Sequence, residues 1–176
     1  MKEQMTKKLA LSGLFIAIGI VLPIAFHAVE GGGSIFLPMH IPVLMAGFFL
    51  DWPFALAVGA LTPLLSSLLT GMPPLFPVLP FMMPELMVYG TVVSLIYRNL
   101  NKNVYASLII SMICGRIMAG IFVWILATFF MAKLPSPIVF IQGAIIKGLP
   151  GIIIQLVIIP AIVLAMKKFN RSSELQ

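Results

Sequence analysis

Along the chain, long apolar runs alternate with short breaks rich in Gly, Pro or polar residues. A membrane-crossing helix needs about 20 mostly apolar residues, within a range of roughly 17–25. Six runs fit that role: residues 8–26, a short one from 38 or 40 to 50, then 53–70, 78–97, 104–131 and 137–166. The last two are long enough to tilt or to extend beyond the bilayer. The breaks have a mechanism, since Gly permits positive φ and Pro removes a backbone donor. They are 27–37 with Gly31, Gly32 and Gly33, the turn Asp51-Trp52-Pro53, the Pro-rich loop 71–77, the turn Asn101-Lys102-Asn103, and 133–137. This pattern predicts an all-α membrane protein, a bundle of six transmembrane helices forming a single domain over residues 1–176.

Composition sharpens the reading. Of 176 residues, 61% are hydrophobic and 9% charged, against about 25% charged in an ordinary soluble domain. A soluble domain and a disordered chain are both excluded. The net charge is +6, but the basic residues sit at the ends of apolar runs rather than on a basic face with stacking aromatics. No nucleic-acid role follows. The lone Cys114 has no partner for a disulfide or a CxxC site and reads as a small packed residue. The basic N-terminus resembles a signal peptide in charge. Its apolar run is too long for the usual h-region, and no small-x-small cleavage site follows, so it reads as a retained first helix.

Charge also sets orientation. With both termini cytoplasmic, the inner side carries Lys2, Lys7, Lys8, Arg98, Lys102, Lys167, Lys168 and Arg171, and the outer loops carry only Lys133. The positive-inside rule favours that arrangement. The glycine break, the Pro-rich loop and the Lys133 loop then face outward, which predicts a ligand pocket near the outer face.

Glu85, Arg116 and Lys147 lie well inside predicted spans. Charges at membrane depth are costly, face the bundle interior and mark a site or a pair. At 1.5 Å per residue, Glu85 lies roughly 10 Å and Lys147 roughly 13–15 Å below the outer helix ends, with Arg116 nearer the centre. A purely structural bridge from Glu85 to Arg116 or to Lys147 is one reading. The other weighs the sum: two cations and one anion leave a positive charge unpaired, and an isolated charge is expensive there. A carboxylate or phosphate on a ligand relieves it. Tyr89 lies one helical turn from Glu85, Gln142 about one turn from Lys147, and Trp124 two turns beyond Arg116. His40 and the loop residue Phe76, beside Leu75, complete the candidate binding set. His27, Glu30 and His40 match no compact metal spacing, so no metal site is expected.

In the first helix, Gly13 and Ala17 form a small-xxx-small pair with Ala10 nearby, which lets a helix approach closely, within the chain or from a partner. No P-loop is present, so the chain cannot drive transport as an ATPase by itself. No GxSxG, HExxH or Ser/His/Asp set appears. Six short helices also lack the two inverted halves of many secondary transporters.

At this point the whole chain resembles the substrate-binding membrane subunits, or S components, of energy-coupling factor (ECF) transporters. The resemblance rests on six helices in a chain of this size and on the basic N-terminus before a small-xxx-small helix. It rests further on the stretches Leu37-Pro38-Met39-His40-Ile41-Pro42-Val43-Leu44-Met45-Ala46-Gly47-Phe48 and Thr62-Pro63-Leu64-Leu65-Ser66-Ser67-Leu68-Leu69-Thr70-Gly71-Met72-Pro73-Pro74-Leu75-Phe76-Pro77, and on Gly115-Arg116. The second stretch and Gly115-Arg116 look similar to the vitamin-type branch. The resemblance implies high-affinity binding of a water-soluble vitamin at the outer face and no enzyme activity in this chain. It implies a membrane coupling subunit (T component) and two cytoplasmic ATPases as partners, with ATP and Mg used there and no cofactor here. It places the protein in a prokaryotic plasma membrane. It maps partner contacts onto Ala10, Gly13 and Ala17, where the family commonly starts with Ala and Gly13 departs conservatively. It maps polar ligand contacts onto Glu85, Tyr89, Arg116, Gln142 and Lys147. Pantothenate, which carries a carboxylate, is the first expectation for the ligand; a pyridoxine-type vitamer or cobalamin is the alternative. The nickel and cobalt branch fits less well, because its ligands start at an N-terminal Met-His and Met39-His40 is internal. From another class, a small membrane enzyme using Glu85 and Arg116 as acid–base groups stays open.

Overall fold

The computed structural model describes residues 2–26, 32–130 and 134–173. Among the described residues seven α-helices follow one another: α1 (Lys2–Phe26), α2 (Gly32–Phe36), α3 (His40–Phe49), α4 (Trp52–Thr70), α5 (Val78–Ser94), α6 (Val104–Phe129) and α7 (Pro137–Ser173). A π-helical turn, Leu95–Asn99, prolongs α5. Six spans are long and apolar enough to cross a membrane, with α2 and α3 together forming one, Gly32–Phe49. The all-α bundle is therefore as the apolar runs predict. His27, Glu30 and Lys133 lie outside the described residues.

Polarity is arranged for lipid. Ile113, Ile117, Ile146, Ile153 and Val157 are exposed, while Thr62, Ser66, Ser67, Ser107, Ser111, Glu85 and Gln155 are buried. With hydrocarbon outside, polar side chains find partners only within the bundle.

The break at 27–37 is not all loop, as the sequence suggests. Residues Gly32–Phe36 are helical, and the reason lies on α7. A Cβ at Gly151 would stand 2.5 Å from the Phe36 carbonyl oxygen, and one at Gly148 would stand 3.0 Å from Leu37 Cδ1. The bare backbone of α7 thus gives α2 a seat, and tertiary contact overrides the poor helix propensity of glycine. Leu37 then takes a positive φ of 50°, and Gln155 Nε2 donates to its carbonyl at 3.4 Å. This kink turns the chain into α3. Two other ends also move: α1 starts at Lys2, and α7 runs past residue 166 to Ser173.

Three helices meet through glycine. A Cβ on Gly47 of α3 would lie 2.6 Å from the Gly90 carbonyl oxygen of α5. One on Gly59 of α4 would lie 2.5 Å from that of Leu86, and one on Gly90 would lie 2.7 Å from that of Ala55. Small residues let backbones approach where lipid gives no hydrophobic drive to pack. Buried Ser94 Oγ adds a 2.8 Å bond to the Leu50 carbonyl, tying α5 to the end of α3.

On the lysine-rich side, Asp51 in the α3–α4 turn joins three elements. It pairs with Lys8 of α1 and, at 2.8 Å, with Arg98 of the π-helical turn. Arg98 Nη1 also donates to the Phe49 carbonyl at 3.4 Å. In the next turn, the Asn103 side chain caps α6 by accepting from the Ala106 amide at 2.7 Å; an Asn cap satisfies an otherwise orphan donor.

The hydrogen bond from Lys8, with Arg98 adding to it, holds the Asp51 carboxyl below its ordinary value despite partial burial. A lowered folded-state value means the stabilisation is present above the unfolded carboxyl's pKa of about 4 and is lost as pH falls through the folded value. Because Asp51 is more than a third exposed, the effect is at most about 1 kcal/mol. Asp51→Asn is expected to lower stability by up to that amount at neutral pH. In unfolding titrations of detergent-solubilised protein, the gap to wild type should close as pH falls through the lowered folded-state value of Asp51.

Candidate ligand-binding site

On the side opposite the lysine-rich turns, the helices part around a cavity of about 700 Å³. Small-molecule sites commonly span about 300–1,000 Å³. Its rim comes from the ends and loops that the charge bias assigns to the outside, with Pro23 from α1, Ser34 from α2, Met72 and Pro73 from the α4–α5 loop, and Pro135 before α7. Its walls are mainly apolar. Phe81 of α5 and Phe140 of α7 meet edge to face, with centroids 4.9 Å apart.

The Pro-rich loop is held in place by the end of α4. Ser66 Oγ donates to the Met72 carbonyl at 2.7 Å, and Ser67 Oγ to the Pro73 carbonyl at 2.6 Å. Thr70 Oγ1 accepts from the Met72 amide at 3.2 Å. Gly71 ends α4 with φ 73°, and its amide donates to the Ser67 carbonyl at 3.0 Å. The left-handed conformation is one that glycine adopts without steric cost. The Ser-Ser-x-x-Thr-Gly run therefore works as a clamp that fixes the cavity's proline rim.

The polar groups converge below that rim. Glu85 on α5 is 2% exposed. Its Oε1 accepts from Tyr89 Oη, one turn along the same helix, at 2.7 Å, and forms an ion pair with Arg116 Nη1 of α6 at 2.8 Å. Gly115 makes this possible: a Cβ there would fall 2.1 Å from Tyr89 Cε1. His40, at the start of α3, faces the Tyr89 ring with centroids 5.5 Å apart. Its Nε2 is 3.8 Å from Glu85 Oε1, beyond hydrogen-bond reach. Among the described residues neither ring nitrogen has a hydrogen-bond partner, an expensive condition for a buried group.

His40, Glu85, Arg116 and Lys147 all line the cavity. Tyr89 stands behind Glu85, almost fully buried. Phe76 and Trp124 are exposed, as is Gln142, and none of the three lines the cavity. Trp124 instead packs edge to face on Phe129, with centroids 6.3 Å apart. Of the two bridges open to Glu85, the one to Arg116 forms, and among the described residues Lys147 has no carboxylate partner. The sequence reading missed the Ser66 and Ser67 clamp and the aromatic wall of Phe81 and Phe140. The spacing of Ser66, Ser67 and Thr70 ahead of Gly71 was the available signal for the clamp.

Chemically, the site is an apolar chamber holding a neutralised Glu85–Arg116 pair; among the described residues His40 has no hydrogen-bond partner, and the exposed Lys147 has no counter-ion. Removing one member of a buried pair costs about 3–5 kcal/mol, whereas replacing both with apolar groups is often close to neutral. Arg116→Met is therefore expected to destabilise the protein by about 3–5 kcal/mol, and the double variant Glu85→Leu/Arg116→Met should recover most of that loss in thermal unfolding. A double variant no more stable than Arg116→Met would show that the pair is not what Arg116 satisfies.

The model of one family, the ECF transporter, substrate-specific component, matches residues 7–163. No curated protein and no solved structure shows significant similarity to the chain. The match takes in most or all of each membrane segment, and the chain belongs to the family of substrate-specific components of ECF transporters.

Proposed function

We propose that this substrate-specific component binds an anionic water-soluble vitamin in the outer cavity, with pantothenate as the leading candidate. The observation that carries the reading is Lys147, a cation on the wall of an apolar cavity with no protein counter-ion among the described residues. Glu85 already neutralises Arg116, so a ligand carboxylate is drawn to Lys147. His40 offers two ring nitrogens without partners, which a ligand amide or hydroxyl would satisfy. A pyridoxine-type vitamer without an anionic group leaves Lys147 uncompensated. A cavity of about 700 Å³ suits a small vitamin better than cobalamin. The enzyme alternative loses support because Glu85 Oε1 is held by both Tyr89 and Arg116.

Energy for uptake comes, on this reading, from a T component and two cytoplasmic ATPases that use ATP and Mg, in a prokaryotic plasma membrane. Ala10, Gly13 and Ala17 of α1 are exposed, and a Cβ on Gly13 would meet nothing within 4 Å. This stripe is the proposed seat for the T component, since small residues admit close helix approach.

Purified protein titrated with a vitamin panel should be stabilised by pantothenate, by about 2.7 kcal/mol at a hundredfold excess over Kd. Lys147→Met should weaken that binding about tenfold or more, because a hydrogen bond to a charged group contributes about 1.5–3 kcal/mol. Wild-type affinity in Lys147→Met would sink the anion-site reading.

A bulky residue at Ala17 separates binding from transport. Ala17→Trp should retain ligand affinity in the purified chain yet abolish uptake in cells carrying the full transporter. Undiminished uptake would remove α1 from the proposed T-component interface.

A further inference from the structure

A second pocket lies at the opposite, lysine-rich end of the bundle. It has a volume of about 380 Å³ and is lined by Tyr97, Arg98, Asn101, Lys102 and Lys167. Three of these five side chains are cations, and none is a carboxylate. The outer cavity and its ligand make no use of them.

Local backbone builds this pocket. The π-helical turn closes with the Leu100 amide donating to the Leu95 carbonyl at 3.0 Å. Asn101 then adopts φ 51°, in the left-handed region that Asn tolerates better than most residues. The Lys102 amide donates back to the Ile96 carbonyl at 3.1 Å. The chain thus folds over itself, and Lys102 joins Arg98 on the pocket wall. Arg98 is fixed by Asp51 and by the Phe49 carbonyl. Lys167 reaches the pocket because α7 continues beyond the length that the bilayer needs. Among the described residues, neither Lys102 nor Lys167 has an ion-pair partner.

The surroundings select the occupant. The pocket sits at the ends of the spans Val78–Asn99 and Pro137–Phe169, where protein leaves the hydrocarbon. Leu100 and Met166, next in sequence to the pocket residues, are exposed and apolar. A freely diffusing anion has no use for apolar surface beside its cations, but a phospholipid covers both. The anionic inner leaflet attracts basic side chains, and basic pockets between helices on that side bind anionic head groups.

We infer that Arg98, Lys102 and Lys167 form a site for the phosphate of an anionic phospholipid of the inner leaflet, with its acyl chains lying along Leu100 and Met166.

The test uses the full chain purified in a neutral detergent. Phosphatidylglycerol, phosphatidylcholine with the same acyl chains, and inorganic phosphate are each titrated against it. Thermal unfolding reads stabilisation, and native mass spectrometry counts retained lipid. Wild type is compared with Lys102→Gln/Lys167→Gln, whose exposed substitutions should leave unfolding without added lipid unchanged. Phosphatidylglycerol should raise the unfolding temperature and leave one lipid bound. The double variant should bind it roughly thirtyfold more weakly, on the scale of about fivefold per lysine beside an anionic surface. Equal binding by wild type and variant overturns the site, and so does equal binding of phosphatidylcholine. Inorganic phosphate that matches phosphatidylglycerol at equal concentration overturns the lipid assignment and makes this a site for free phosphate. Displacement of the lipid by an acidic peptide at lower concentration overturns it in favour of a partner's acidic segment.

Discussion

A carboxylate buried at membrane depth has to be neutralised, and much of the outer half of this protein is organised around doing so for Glu85. Its oxygen takes Tyr89 from its own helix and Arg116 from the next. Tyr89 can lie flat against α6 only because position 115 carries no side chain. The pair fixes α5 against α6 at the depth where the cavity begins. It also pairs Arg116, so among the described residues the cavity-lining cation without a counter-ion is Lys147. Lys147 is exposed where it lines the cavity, so its ammonium is not a buried charge. The closed pair therefore both stabilises the bundle and directs the site's chemistry to another residue.

The two halves of the bundle are built differently. In the middle and inner part, the glycine contacts among α3, α4 and α5 bring backbones together, and Asp51 ties α1, the α3–α4 turn and the π-helical turn. In the outer part the helices diverge, and serine and threonine hydroxyls hold a proline loop at the rim. A rigid floor under a chamber rimmed by loops suits a protein that captures a solute from one side. Loops held on a fixed scaffold commonly carry binding contacts.

The six spans were legible because hydrophobic length and Gly or Pro breaks answer directly to the bilayer. The trio Glu85, Arg116 and Lys147 was legible because charge at membrane depth is rare. Which cation pairs with Glu85 was not, since the partners sit on different helices and sequence does not give helix phase relative to a neighbour. The same limit explains Gln142 and Trp124: depth placed them near the site, but the helix presents them outside the cavity lining. The helix Gly32–Phe36 was hidden because its stability comes from Gly148 and Gly151, more than a hundred residues away. Ser66 and Ser67 resembled any polar pair in a span until their acceptors, the carbonyls of Met72 and Pro73, were in view.

The proposal of an anionic ligand rests on one ammonium, that of Lys147, which lines an apolar chamber and has no counter-ion among the described residues. The most direct measurement is a cycle that removes the charge from each side: wild type and Lys147→Met, each titrated with pantothenate and with its neutral alcohol analogue. The account predicts that wild type prefers the carboxylate by about tenfold or more and that Lys147→Met binds both alike. Weak binding of both forms by wild type, or a preference that survives loss of the lysine, would contradict it.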